Sequence, residues 1–240
     1  MRSLIVFATT LLCLENACGF SFSSSIGIED ALLKAIDELG DKRLANSEKV
    51  RQLVLELEST PSIPNPAIDD AVYGRWRLIH TDNVDTASPI QRTAVDSSKF
   101  PIYQDIIFND KKQLVVSQVV KFEGAELKVD ALASTSRYPL PELTDRTGDG
   151  KILGFNLLGV SKFGAEAQED KNRPDSRINF VFDEGNFKLG DLFSIPYPVP
   201  FRLPLLRDAV KGWIDITYLS PRLRVSRGNK GSTFILIKED

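Results

Sequence analysis

A chain of 240 residues that is 42% hydrophobic and 26% charged is long enough for one large domain and too apolar to be disordered throughout. Its net charge of −3 at pH 7 does not supply the basic face that nucleic-acid binding requires, so no nucleic-acid partner is expected. The cysteines, Cys13 and Cys18, both lie near the N-terminus, and the single histidine is His80. Once a leader is removed, disulfide frameworks, thiolate nucleophiles and cysteine-based zinc sites are excluded. A histidine-based acid–base scheme has to run through His80, which ends an expected strand and reads as a solvated strand-end residue.

Arg2 followed by the apolar run 4–14 is too short to cross a bilayer, which takes about 20 residues, and suits the core of a signal peptide. Ala17 and Gly19 stand at −3 and −1 of a cleavage before Phe20. The expected leader is therefore a signal peptide over 1–19 and a Ser-rich transit segment over 20–27. A Ser-rich segment that begins with Phe behind a signal peptide resembles the bipartite plastid address of algae with secondary plastids. Simple secretion is the alternative, and the lack of later cysteines weighs against it. No later stretch is apolar enough to span a membrane, so a soluble or peripheral protein is expected.

From Ile28 the pattern turns helical. Ile28, Leu32, Ile36 and Leu39 form one stripe with Gly40 as a stop. Asn46 or Ser47 can cap a second helix carrying Val50, Leu53, Val54 and Leu57, which the prolines of 60–66 end. Residues 28–66 are read as a helical lead and linker whose narrow apolar stripe needs a partner surface.

From residue 72 the period is two. Strands are predicted over 72–80, 103–108, 113–122, 126–135, 151–160, 177–182, 186–192, 211–218, 223–227 and 233–238. Tight connections are expected at Asn109-Asp110, Phe122-Glu-Gly124, Asp183-Glu-Gly185 and Gly228-Asn-Lys-Gly231. Short strands joined mostly by tight turns make 67–240 a mainly β, antiparallel up-and-down barrel. The breaks 81–101 and 137–150 are long enough to frame its mouth.

Two further segments test other chemistry. Asp145-Arg-Thr-Gly-Asp-Gly150 lacks the ligand spacing and terminal Glu of a calcium loop. Gly159-Val-Ser-Lys-Phe-Gly164 is not followed by the Gly-Lys-Ser/Thr of a phosphate loop. No metal or cofactor is expected.

The stretch from Ser194 to Leu236 is the most distinctive. Its first part, Ile195-Pro-Tyr-Pro-Val-Pro-Phe201, has few backbone donors and is expected to stay out of a sheet interior as a stiff apolar flap. Its second part contains G-W-I-D-I-T-Y-L over 212–219 and L-R-V-S-R-G-N-K-G over 223–231. These pieces resemble the C-terminal signature of the plastid lipid-associated proteins, or fibrillins. The resemblance implies a lipocalin-like barrel that binds an apolar plastid lipid without covalent chemistry, such as a fatty acid, a prenylquinone or a carotenoid. It also implies docking to thylakoid or plastoglobule surfaces, with a protein partner possible.

Gly74-Arg-Trp76 at the first long strand, with arginines on the penultimate one, resembles the lipocalin and fatty-acid-binding barrels. There the tryptophan closes the barrel floor and an arginine stacks across it. Arg224 and Arg227 both qualify for that stack. Alternation puts Trp213, Asp215 and Thr217 on one face of their strand, and either face can be the inner one. If they face inward, Asp215 needs an arginine partner among Arg202, Arg224 and Arg227, because an unpaired carboxylate in an apolar cavity is costly.

The candidate ligand set is Trp76, Phe180, Phe182, Tyr197, Phe201, Trp213, Asp215, Thr217, Arg224 and Arg227. No catalytic residue is expected. Two alternatives stand beside the lipid binder. One is a filled barrel that coats lipid globules or assists a quinone-synthesis enzyme; the other is an epoxidase or isomerase, limited to carboxylates, Tyr and Lys.

Overall fold

The computed structural model describes residues 14–40, 46–82, 100–140, 170–190, 193–196, 202, 210–229 and 231–239, with side chains from Ser25 onward. Helix α1 spans Leu14–Asp37 and α2 spans Glu48–Glu58. The strands are β1 Gly74–Thr81, β2 Ile102–Phe108, β3 Leu114–Phe122, β4 Ala125–Ser134 and β5 Arg177–Leu189, followed by β6 Phe193–Pro196, β7 Lys211–Leu219, β8 Leu223–Gly228 and β9 Thr233–Glu239. Helix α1 begins upstream of the expected start at Ile28, so residues 14–27, read from sequence as leader, continue the same helix.

Local chemistry sets the ends of these elements. Ser47, not Asn46, caps α2: its hydroxyl accepts from the Val50 N–H at 3.4 Å. In the first turn Arg51 folds back on Glu48 and, with Gln52, holds that carboxyl down to about 2. Gly40 takes φ +52° after α1, a conformation that favours glycine. The β8–β9 turn closes with Gly231 at φ +78° donating to the Gly228 carbonyl at 2.9 Å.

All nine strands among the described residues belong to one antiparallel sheet. The pairings run β1–β2–β3–β4–β5–β7–β8–β9 and return from β9 to β1, so eight strands close on themselves. This is the connectivity of an up-and-down ring, and β6 is added to it as an edge strand on β5.

Closure depends on the length of β5. Its first part, Arg177–Val181, pairs with β7, while Asn186–Leu189 pairs with β6. Against β4 it is paired on both sides of one irregularity at Asp130/Ala131. The hairpin expected at Asp183-Glu-Gly185 is therefore absent. An irregularity there lets one strand bend and twist where two short ones were predicted. The predicted strand 151–160 lies outside the described residues, as do both loop motifs at 145–150 and 159–164.

The Pro-aromatic segment stays out of the sheet interior as far as it is described, and residues 197–201 lie outside the described residues. Phe193–Pro196 pairs with β5, but at an edge, where Pro196 leaves no interior ladder bond unmade.

Two apolar clusters share the wall. The inner one contains Trp76, Ile106, Leu114, Ile178, Ile216 and Leu219. The other packs Leu32, Ile36, Val50, Val54 and Leu57 of the helices onto Tyr218, Leu223, Val225 and Ile235. The partner surface that the helical stripe requires is thus the outer face of β7–β8–β9. Glu29 of α1, almost wholly buried, accepts from the Tyr218 hydroxyl at 2.8 Å and pairs with Arg222. Burial, then the Glu29 hydrogen bond, pushes the Tyr218 hydroxyl well above the ordinary tyrosine range.

Candidate lipid site inside the strand ring

Trp76 is fully buried on the inner face, and its indole N–H donates to the Val72 carbonyl at 2.8 Å. Val72 ends a 3-10 turn, Asp70–Val72, that crosses this end of the ring together with Ala67. Arg224 lies over the indole with its guanidinium carbon 4.9 Å from the ring centroid, and Lys238 brings Nζ to 4.6 Å. Stacking of this kind at a desolvated site is worth roughly 2 kcal/mol. Of the two arginines open from sequence, Arg224 is therefore the one that meets Trp76.

The charges around this tryptophan are unusual. Arg224 has no exposed surface, and among the described residues its guanidinium donates from Nη2 to the Gln104 side-chain oxygen. Its Nε and Nη1 are buried without a partner, as is the hydroxyl of Ser226 two residues along the same face. Burial alone pushes the guanidinium down to about 9, still a cation at neutral pH. Lys238 donates to the Ala71 carbonyl at 2.9 Å and to that of Tyr73, and is pushed down by burial and then by Arg224.

Packing changes along the ring. At the end where β1 starts, Trp76, Ile106, Leu114, Ile178, Ile216 and Leu219 are at most 2% exposed. Toward the other end the inner positions Ile102 and Val120 are still buried, while Leu78, Gln118, Val129, Phe180, Phe182 and Phe234 are half-buried. Register places them inside: Phe182 stands opposite Ala131 and Phe180 opposite Ala133, on the face of the inner cluster. The Phe180 and Phe182 rings meet edge-on with centroids 5.4 Å apart. Gly212 admits Phe180, since a Cβ there would fall 2.7 Å from its ring.

The face left open on β7 resolves the other way from an inward reading. Ile214 and Ile216 join the inner cluster, so Trp213, Asp215 and Thr217 point outward. Asp215 does have an arginine, but it is Arg177, directly opposite on β5, bonded at 2.6 and 2.7 Å. The Arg177 guanidinium also lies 4.0 Å from the Trp213 ring. On the other flank Arg227 stands opposite Asp215 and reaches Glu58 at the end of α2, with Nη2–O distances of 2.9 and 3.0 Å. Arg202 pairs with Asp183 and Glu184.

Trp213, Asp215, Thr217 and Arg227 therefore belong to an outer network that ties β5, β7, β8 and α2 together. Trp76, Phe180, Phe182 and Arg224 are the expected residues that meet inside. Tyr197, Phe201 and Lys230 lie outside the described residues. Sequence reading missed Arg177, Gln104 and Lys238; a polar residue at an inward period-2 position of β2 or β9 was the available signal.

Beyond the ring, β4, β5 and β6 form a ribbon. Ala125, Leu127, Phe187, Leu189, Phe193 and Ile195 share one face by register, and Glu126, Lys128, Lys188 and Ser194 share the other. Leu189, Phe193 and Ile195 are 44%, 67% and 53% exposed. Among the described residues no helix is long and apolar enough to cross a membrane, and no cluster of side chains suits a metal ion.

The PAP_fibrillin family profile matches residues 29–137 and 171–237. The chain is 40% identical over 222 residues to probable plastid-lipid-associated protein 12, chloroplastic, of Arabidopsis thaliana, covering 88% of this chain and 45% of that protein. It is 28% identical over 220 residues to plastid lipid-associated protein 1, chloroplastic, of Brassica campestris, covering 83% and 63%. It is 27% identical over 236 residues to the chromoplast-specific carotenoid-associated protein C1 of an Oncidium hybrid cultivar, covering 88% and 70%. The chain thus spans less than two thirds of the first two relatives' length. No solved structure matches it. With a profile match over most of its length and the inner Trp–Arg stack in place, the chain belongs to the PAP_fibrillin family.

Proposed function

We propose that this protein binds or carries an apolar lipid, such as a fatty acid, prenylquinone or carotenoid, inside its strand ring and works at thylakoid or plastoglobule surfaces. The observation that carries this reading is the inner face itself: packed solid around Trp76, then half-buried and aromatic through Leu78, Phe180, Phe182 and Phe234. Burying each CH₂ is worth about 0.8 kcal/mol, so a wall of this kind supplies affinity without catalytic groups. The names of the relatives, chloroplastic and chromoplastic lipid- or carotenoid-associated proteins, support the plastid setting. So does the leader-like N-terminus.

Delipidated protein carrying Trp213→Phe should change its Trp76 fluorescence saturably when fatty acid, prenylquinone or carotenoid is added. A flat titration with all three would overturn lipid binding. A second reading, a ligand-free coat or scaffold, is favoured by the exposed ribbon face around Phe193 and Ile195. Extraction of the purified protein and mass spectrometry separates the two: a stoichiometric lipid supports the carrier, and none supports the scaffold.

A further inference from the structure

Within the lipid-binding reading just given, we infer that Arg224 and Ser226 are the seat of an acidic head group. The ligand inside the ring is then a carboxylate-headed apolar molecule that enters head first with its tail along the phenylalanines. The inference rests on a mismatch inside the wall. Arg224 is completely buried, yet two of its three guanidinium nitrogens have no partner, and the Ser226 hydroxyl beside it has none either. Both stand on the inner face of β8, Arg224 opposite Leu236 and Ser226 opposite Phe234. Buried donors are normally satisfied, and a charged one left open is among the most costly groups a core can hold.

The surroundings choose the sign of the missing partner. Lys238 adds a second cation, 4.6 Å from the Trp76 centroid, and the Coulombic effect it feels comes from Arg224. Carboxylates on the outer side of the wall and at the end of α2 are already committed. Asp215 is held by Arg177, Asp105 by Arg75 at 2.7 and 2.8 Å, and Glu58 by Arg227. Gln104 offers its oxygen to Arg224 and neutralises nothing. Two cations with no counter-charge among the described residues, at the packed end of an aromatic lumen, make an anion favourable there. Stacking alone, the structural role of such an arginine, explains one face of the guanidinium and leaves its N–H groups unexplained.

The test compares head groups on one tail. Palmitic acid, its methyl ester and the corresponding alcohol are titrated into delipidated full-length protein carrying Trp213→Phe, with Trp76 fluorescence as the readout. The acid should bind about tenfold or more tightly than the ester or alcohol. Arg224→Gln should bring the acid to the level of the ester, whereas Arg227→Gln, on the outer face, should keep the preference. Should Arg224→Gln fail to fold, Ser226→Ala removes one oxygen and should lower the preference a few-fold. Equal binding of acid and ester by protein with Arg224 and Ser226 intact overturns the acidic seat and leaves lipid binding standing. Binding of none of the three, with prenylquinone or carotenoid still bound, also removes the seat alone. Silence toward every lipid removes both readings.

Discussion

The two ends of the strand ring obey the same alternating pattern and reach opposite outcomes. Where β1 begins, a 3-10 turn and Ala67 lie across the opening, and Trp76 meets Arg224 and Lys238 over side chains with almost no exposed surface. Where β5 runs on past β7, Phe122 meets the Phe100 and Phe187 rings at centroid distances of 4.7 and 6.3 Å. Leu189, Phe193 and Ile195 keep 44 to 67% of their surface exposed on a ribbon that is charged on its reverse side. The lesson is that an inward-facing apolar residue becomes core only if something caps the end it occupies. On the β4–β5–β6 ribbon the same residue type stays exposed and offers a docking face.

This contrast is open to test, and the largest expected effect is at the closed end. Trp76→Ala should cost about 3–5 kcal/mol in chemical denaturation, because the indole is fully buried and anchors both the turn and the cation stack. A loss below about 1 kcal/mol would mean that this end is not the structural one. Leu57→Ala in α2, equally buried but on the outer face, should cost about 2–5 kcal/mol and loosen the helical hairpin, seen as faster amide exchange over α2.

Asp215→Asn should cost about 1–3 kcal/mol, since it leaves Arg177, 6% exposed, without its bidentate acceptor. Lipid titrations should be unaffected, because the pair is on the outside. A loss of lipid affinity comparable to that of Arg224→Gln would place Asp215 back in the lumen.

A pH-dependent effect follows at Tyr73, which burial, then Tyr138, pushes up to about 12 from an ordinary 10. Between those values the unfolded chain has released a proton that the folded chain keeps, so stability falls as pH rises from 10 to 12. Tyr73→Phe should flatten that fall in denaturation midpoints measured across this range; an unchanged slope would count against it. The smallest effect is expected on the β4–β5–β6 ribbon. Phe193→Ser should leave stability within about 0.5 kcal/mol while weakening attachment to lipid vesicles in flotation. A destabilisation like that of Trp76→Ala would show that the ribbon face is covered after all.

Much of this was legible in the amino-acid order because local rules govern it. Period-two runs set β1–β4 and β7–β9 to within two residues but split β5 in two and missed β6, and the helical stripes at Leu32, Ile36, Val50, Val54 and Leu57 are the ones that pack. The Gly-x-Trp76 motif pointed to the floor of the ring. The failures share one cause, which is that alternation names two faces without saying which is inside. Trp213 and Asp215 face outward because Ile214 and Ile216 take the core, and Asp215 finds Arg177 because β5 lies opposite it, a neighbour 38 residues away in sequence. At Asp183-Glu-Gly185 a turn-like tripeptide was absorbed into a continuous strand, since its backbone groups find partners on β4 on both sides.

By itself, then, the sequence determined the period of each segment, the family signature over 212–231, and the scarcity of cysteine and histidine that removes most catalytic schemes. Only the tertiary structure decided which arginine meets Trp76, which face of β7 is core, and which end of the ring is closed. Those choices depend on long-range register and on what lies across each opening, and no local pattern encodes either. Arg224 and Arg227 are three residues apart on one strand; ring closure sends one to a buried indole and the other to Glu58 of a helix.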